Sequence, residues 1–250
     1  MGKIIYRNKG SKENIVISIA GPHGVGKTTI YTLFKKKVEG NSKFKFFPER
    51  YVKNPPFPFG SRNKQTAFRS EFHFLQQLVK RNGNVLKYDN KYNGRILILD
   101  RTSLCVLIYS KGLNLKEKDY KLILDMYNSV NWREDYIIYL TADSDTILKR
   151  ILQRGSLEKI RREWNETEKK YLLTILSYYN QFLQSKNYKD KTIIIDTDKL
   201  TLEDVLKKIE LILINLSGYS FRKLIKQPSA SQTNLTFWIE KSYKEKKDTL

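Results

Sequence analysis

The sequence predicts an α/β fold, a five-stranded parallel sheet with helices on both faces, from three observations. Short apolar runs rich in β-branched and aromatic residues alternate with longer segments of helical period. The runs are continuous, as suits strands covered on both faces. A glycine-rich turn joins the first run to the first helical segment. Strands alternating with helices build βαβ units and hence a parallel sheet.

The elements follow in order. Ile15–Ala20 is the first strand and Lys27–Val38 the first helix. Phe44–Phe47 is the second strand. Thr66–Lys80 carries Phe68, Phe72, Leu75 and Val79 on one stripe, which predicts an amphipathic helix. Ile96–Leu99 is the third strand. Asp119–Val130 repeats the helical pattern with Leu122, Ile123, Met126 and Val130. After the fourth strand, Tyr136–Leu140, the segment Asp143–Gln153 opens with acids where a helix dipole favours them. Leu157–Ser185 reads as one long helix with Trp164, Tyr171, Ile175, Tyr179 and Phe182 inward. Thr192–Ile195 is the last strand. Leu202–Leu216 is the last helix, with Thr201 placed to cap it.

Composition bounds the class. A chain of 250 residues, 40% hydrophobic and 12% aromatic, is too apolar to be disordered. At this length folding buries roughly 70–75% of the unfolded surface, enough for one core without staples. We expect one domain over residues 1–216. Residues 217–250 read as a basic appendage: from Gly218 onward there are seven Lys or Arg against three acids, and Phe237 and Trp238 imply that part of it docks. The lone Cys105 excludes an internal disulfide and a multi-cysteine zinc site, and His23 and His73 are too few for a histidine cage. No apolar run reaches the ~18–20 residues of a membrane helix. Met1–Gly10 lacks the apolar stretch of a signal peptide. The expectation is a soluble cytoplasmic protein without a membrane partner. The net charge of +21, from 47 basic and 26 acidic residues, attracts polyanions such as nucleotide phosphates or nucleic acid. In a chain rich in Lys, Ile, Asn and Tyr with four Ala, many of these lysines also fit solvated decoration.

One motif carries the chemistry. Gly21-Pro22-His23-Gly24-Val25-Gly26-Lys27-Thr28 fits G-x-x-x-x-G-K-[ST] between the first strand and the first helix. Backbone N–H groups of such a loop turn inward around a phosphate, and the helix N-terminus adds partial positive charge there. Lys27 would reach the β- and γ-phosphates, and the Thr28 hydroxyl would ligate Mg²⁺ beside Thr29. ATP or GTP, with Mg²⁺, is the cofactor implied. The second metal anchor falls on Asp100, which ends the apolar run Arg95-Ile-Leu-Ile-Leu. Arg101 follows it and is placed to meet a transferring phosphate. Glu49, after the second strand, faces the same crevice and would accept a hydroxyl proton. Arg150 and Arg154, four apart on one helix face and followed by Gly155, suit a lid that closes over phosphates. Each has an alternative: a strand-end Asp capping a helix, a surface Glu, a solvated basic face. His23 and His73 read as bystanders, Cys105 as a small buried apolar residue.

Together these residues resemble the deoxynucleoside kinase and thymidylate kinase superfamily, over about residues 14–215. The phosphate loop is especially similar to that of herpesvirus thymidine kinases. Asp100-Arg101-Thr102 resembles the Asp/Glu-Arg-Ser element of nucleoside kinases. Glu71-Phe-His-Phe-Leu75 resembles a Gln-x-x-Phe-Leu helix whose Gln pairs with the base, and Asp143–Glu158 resembles the arginine-bearing lid. The resemblance implies a three-layer P-loop kinase fold with sheet order 2-3-1-4-5. It also implies phosphoryl transfer from ATP to a nucleoside, with Lys27, Glu49, Arg101, Arg150 and Arg154 catalytic. Glu49, Arg50, Phe68, Glu71 and Arg101 would bind the acceptor, and a homodimer is allowed. Position 71 is Glu, and a carboxylate cannot donate to a base carbonyl as an amide does. The order Pro48-Glu49-Arg50 departs from the Arg-Glu-Pro of thymidylate kinases, which favours a nucleoside over a monophosphate acceptor. The alternatives kept open are a monophosphate kinase, a P-loop ATPase with a basic nucleic-acid-binding surface, and a degenerate kinase that binds nucleotide as a regulator.

Overall fold

Ile15–Ala20, six buried residues in succession, forms the central strand β1 of a five-stranded sheet. In the computed structural model, which describes residues 13–49, 61–153, 165, 167–219 and 221, the strands are β1, β2 (Phe44–Phe47), β3 (Ile96–Asp100), β4 (Tyr136–Thr141) and β5 (Thr192–Asp196). Their order is β2-β3-β1-β4-β5 and every pairing is parallel, as the resemblance implies. Ile17 pairs in register with Ile98 on one side and with Tyr136 on the other. A strand flanked on both edges and covered on both faces favours apolar residues, hence a run broken only by the small, buried Ser18.

The helices are α1 (Lys27–Lys37), α2 (Lys64–Lys91), α3 (Cys105–Gly112), α4 (Glu117–Asn128), α5 (Ser144–Leu152), α6 (Lys169–Leu183) and α7 (Leu202–Ser217). They cover the two faces of the sheet. One core gathers Ile30 and Phe34 of α1, Ile147 of α5 and Leu213 of α7 against Ile17, Ile19 and Ile138. The other gathers Leu75, Leu78, Ile108, Ile123 and Tyr179 against Ala20, Ile137 and Tyr139. Thr201 caps α7 in a reciprocal capping box: its hydroxyl accepts from Asp204 N, and the Asp204 carboxylate accepts from Thr201 N.

Two differences from the sequence reading have physical causes. Helix α2 runs on past Lys80 to Lys91 because polar residues on its inner face find buried partners. Asn82 donates to Asn131 O at 2.9 Å and accepts from Arg133 N at 2.9 Å. Helix α3 has no counterpart in the sequence reading. It buries Cys105, Val106, Leu107, Ile108 and Ser110, so it has no polar face to give a period. The long helix ending near Ser185 begins at Lys169 among the described residues; Leu157–Trp164 lies outside them. The segment after α7 starts as part of the domain. Phe221 is buried against Phe44 and Phe34, and Tyr219 OH accepts from Asn41 Nδ2. Phe237 and Trp238 lie outside the described residues.

Candidate active site

The ends of β1, β2 and β3 converge with the N-terminal ends of α1 and α3. Between β1 and α1 the chain turns through Gly21, Gly24 and Gly26, with φ of 146°, 81° and 103°. These are conformations that side-chain-bearing residues rarely adopt. Gly24 has a second constraint. A Cβ there would lie 2.6 Å from Ile151 and 2.7 Å from Ile147, so α5 packs directly on the loop. Gly24→Ala is therefore expected to lower stability by about 1–3 kcal/mol and to weaken nucleotide binding. Thermal unfolding and a nucleotide titration test this, and unchanged values for both would refute the close packing.

Lys27 is buried and its Nζ donates to Pro22 O at 2.6 Å, bending back across its own loop. Thr28 is exposed and Thr29 half-buried. The loop is braced from outside. Tyr109 of α3 accepts the His23 N–H at 3.0 Å, and the His23 ring stacks on Tyr171 of α6 at 5.7 Å. His23 thus contributes a backbone donor and a ring contact.

Asp100 ends β3, buried, and its Oδ1 has no hydrogen-bond partner among the described residues. Burial and the neighbouring Glu49 raise its pKa, while Arg101, Lys27 and Arg81 oppose them. A buried carboxylate oxygen with spare lone pairs at the end of β3 fits the oxygen donor set of Mg²⁺. Arg101 comes next, with φ 68° in the left-handed region and its N–H on Ile19 O at 3.0 Å. That turn directs its side chain to Glu49: Arg101 Nε lies 2.5 Å from Glu49 Oε1. The guanidinium also lies over the rings of Phe74, at 5.9 Å, and Tyr109, at 5.8 Å. Glu49 keeps its pKa-raising influence on Asp100 and Glu71, so the three carboxyl groups share one electrostatic neighbourhood.

Glu71, on α2, is 3% exposed. Burial pushes its carboxyl up from 4.5 to about 8; Arg101 opposes the shift and Glu49 adds to it. At neutral pH the side chain is mostly a neutral acid, with one O–H donor and a carbonyl acceptor. Where position 71 is protonated it has an O–H to donate, as an ionised carboxylate does not. Phe68, one turn earlier on α2, is half-buried with its ring 5.8 Å from Phe72.

Arg150 has protein partners. Expected to meet a moving phosphoryl group, it is buried on α5 with Nη1 donating to Thr197 Oγ1 at 3.0 Å and Nη2 to Thr197 O at 2.8 Å. Burial lowers its pKa, against the opposing pull of Asp198 and Asp196. A buried guanidinium must satisfy its donors, and the connection after β5 supplies both acceptors. Arg50 and Arg154 lie outside the described residues. The sequence reading missed Tyr109, Arg81 and Glu134. The hydroxyls of Thr102 and Ser103, just after Arg101, both donate to Glu134 Oε2, at 3.0 and 3.2 Å. No spacing motif marks these residues; they meet only through the sheet order.

The deoxynucleoside kinase family model matches residues 17–216. The chain is 25% identical over 168 residues to the deoxyadenosine/deoxycytidine kinase of Bacillus subtilis, covering 64% of this chain and 76% of that one. It is 24% identical over 212 residues to the deoxyadenosine kinase of Lactobacillus acidophilus, covering 78% and 94%. The solved structure of deoxyadenosine kinase from M. mycoides with products dCMP and dCDP superposes with a TM-score of 0.63 at 26% identity, over 80% of this chain and 98% of that one. The thymidylate kinase of Candida albicans shares the fold alone, at 16% identity and a TM-score of 0.60.

Proposed function

The chain belongs to the deoxynucleoside kinase family and is a nucleoside phosphotransferase with a nucleotide phosphate donor, and from that premise we propose that it transfers the γ-phosphoryl group of ATP to a hydroxyl of a deoxynucleoside. The observation that carries this reading is the Glu49–Arg101 pair, 2.5 Å apart at the mouth of the sheet, with Arg101 directly after Asp100. A hydroxyl acceptor must lose a proton, and Glu49 is the carboxylate held to take it. Arg101 supplies charge for the phosphoryl oxygens, and the Lys27 ammonium and loop N–H groups hold the donor phosphates. Mg²⁺, held by Thr28 and Asp100, would neutralise charge on the transferring phosphates when bound. Val25 and Pro22 complete the loop that carries the donor. Arg154 is proposed to meet the moving group from the lid. Phe68 and Glu71 are proposed to hold the base, and Arg50 to lie near the acceptor. The relatives that act on deoxyadenosine and deoxycytidine support those two as first acceptors to test. A panel of nucleosides and monophosphates incubated with Mg-ATP, read by chromatography, tests the whole reading. Phosphorylation of monophosphates alone would overturn it.

Glu71 supplies a pH-dependent prediction. A neutral carboxylic acid can donate to a ring nitrogen or carbonyl and accept from the adjacent N–H; once ionised it can only accept. Acceptor KM is expected to rise as pH passes about 8, where Glu71 ionises, and to stay flat in Glu71→Gln. Stability follows the same titration. A raised folded-state pKa contributes in full below the ordinary carboxylate range, and that contribution is lost as pH climbs toward 8. Melting temperatures across pH 5 to 9 are therefore expected to favour Glu71→Gln increasingly up to about pH 8. A pH-independent gap between the two proteins would refute the neutral acid.

A further inference from the structure

Arg81 is a buried cation on α2. Its side chain is 2% exposed, among the largest of the fully buried side chains. Among the described residues it forms no ion pair with a carboxylate. Without such a contact, a buried guanidinium needs strong acceptors for its fork of donors. It finds two consecutive carbonyls: Nη1 donates to Asp100 O, and Nη2 donates to Arg101 O at 3.0 Å. The fork therefore straddles the peptide between the strand-end acid and the arginine paired with Glu49.

That peptide needs holding. Arg101 has φ 68°, a conformation unfavourable for a residue with a Cβ and persistent only where surrounding structure over-determines it. Its N–H is tied to Ile19 O of β1, at 3.0 Å. Its carbonyl and that of Asp100 are tied by Arg81. Directly after it, Glu134 ties the hydroxyls of Thr102 and Ser103. In a relaxed conformation at residue 101 the guanidinium would leave Glu49, Phe74 and Tyr109.

We propose that Arg81 is a positioning residue for phosphoryl transfer: its guanidinium fork clamps the Asp100 and Arg101 carbonyls from behind, holding the left-handed turn that presents Arg101 to Glu49 and Asp100 to the phosphate loop. The proposal rests on the reading of Asp100, Arg101 and Glu49 as the reacting group's neighbours. Arg81 itself touches neither substrate nor phosphate. Because it acts through geometry, its loss should affect turnover far more than binding.

Arg81→Lys keeps the charge but replaces the rigid fork with one flexible ammonium. A displacement of about 1 Å at reacting groups costs on the order of 10²-fold in rate. We expect Arg81→Lys to lower kcat by about 10–100-fold. Nucleoside KM, and the stoichiometry and affinity for a fluorescent ATP analogue, should stay within about threefold. Arg81→Gln, which keeps one donating nitrogen and loses the charge, should be impaired at least as much. Arg101→Ala is the control that separates this proposal from the reading beneath it. If Arg101→Ala leaves kcat intact, the catalytic reading of the turn fails. If Arg101→Ala abolishes turnover while Arg81→Lys and Arg81→Gln keep parental kcat, the positioning role fails. Failure of both Arg81 variants to yield folded, nucleotide-binding protein would make Arg81 a structural residue only and equally overturn the proposal.

Discussion

Lys27→Ala is expected to abolish measurable transfer while leaving the fold intact. Lys27 is buried, yet its ammonium donates to Pro22 O within its own loop rather than supporting the hydrophobic core. Removing it deletes a cation aimed where transferring phosphate charge accumulates. Loss of one such preorganised donor costs about 10²–10³ in kcat, and a full positive charge in a water-poor loop should cost at least that. Circular dichroism should show unchanged helix content, because the apolar contacts of α1 come from Ile30, Tyr31 and Phe34. Activity within a few-fold of the parent would remove the phosphate loop from the reaction. Unfolding of the variant would make Lys27 structural.

Glu49→Gln carries the second large effect. General-base catalysis contributes about 10²–10⁴ in rate, and an amide cannot accept the acceptor's proton. The change also breaks the ion pair with Arg101, so the loss combines a missing base with a loosened arginine. The expected signature is a fall in kcat within that range at little-changed nucleoside KM. Arg50→Ala should have the smaller effect. A monophosphate acceptor would reverse the pattern: it is already anionic, so it needs a cation and is repelled by a carboxylate. Near-normal turnover in Glu49→Gln with a large KM rise for a monophosphate in Arg50→Ala would transfer the protein to monophosphate chemistry. Steady-state kinetics with both acceptor types distinguish the two results.

Legibility in the sequence followed how local each signal was. The strand cores were read to within a residue or so because buried strands are mostly apolar, broken here only by Ser18 in β1 and the exposed Lys45 of the edge strand β2, and Ile15–Ala20 and Phe44–Phe47 coincide with the observed ends. The phosphate loop was legible because its glycines answer a local need, positive φ, at fixed spacing. Thr201 was legible as a cap for the same reason. Helix α3 was not, since a helix buried on all sides carries no period. The second half of α2 was not, since Arg81 and Asn82 read as surface residues until their partners are seen.

The sequence by itself determined the α/β class, the position and chemistry of the phosphate loop, and the acid at the end of β3. Each is a demand of the local backbone or of burial on both faces, and such demands are written within a few adjacent residues. Only the tertiary structure decided the rest. Bringing β2 beside β3 set Glu49 against Arg101. Packing α2 beneath the same turn put Arg81 on its carbonyls and sealed Glu71 from water, turning a carboxylate into a neutral acid. Folding α5 against the connection after β5 gave Arg150 its two acceptors on Thr197. Charge state and partner choice depend on distance and solvent access, and for residues this far apart in the chain those are properties of the packed molecule alone.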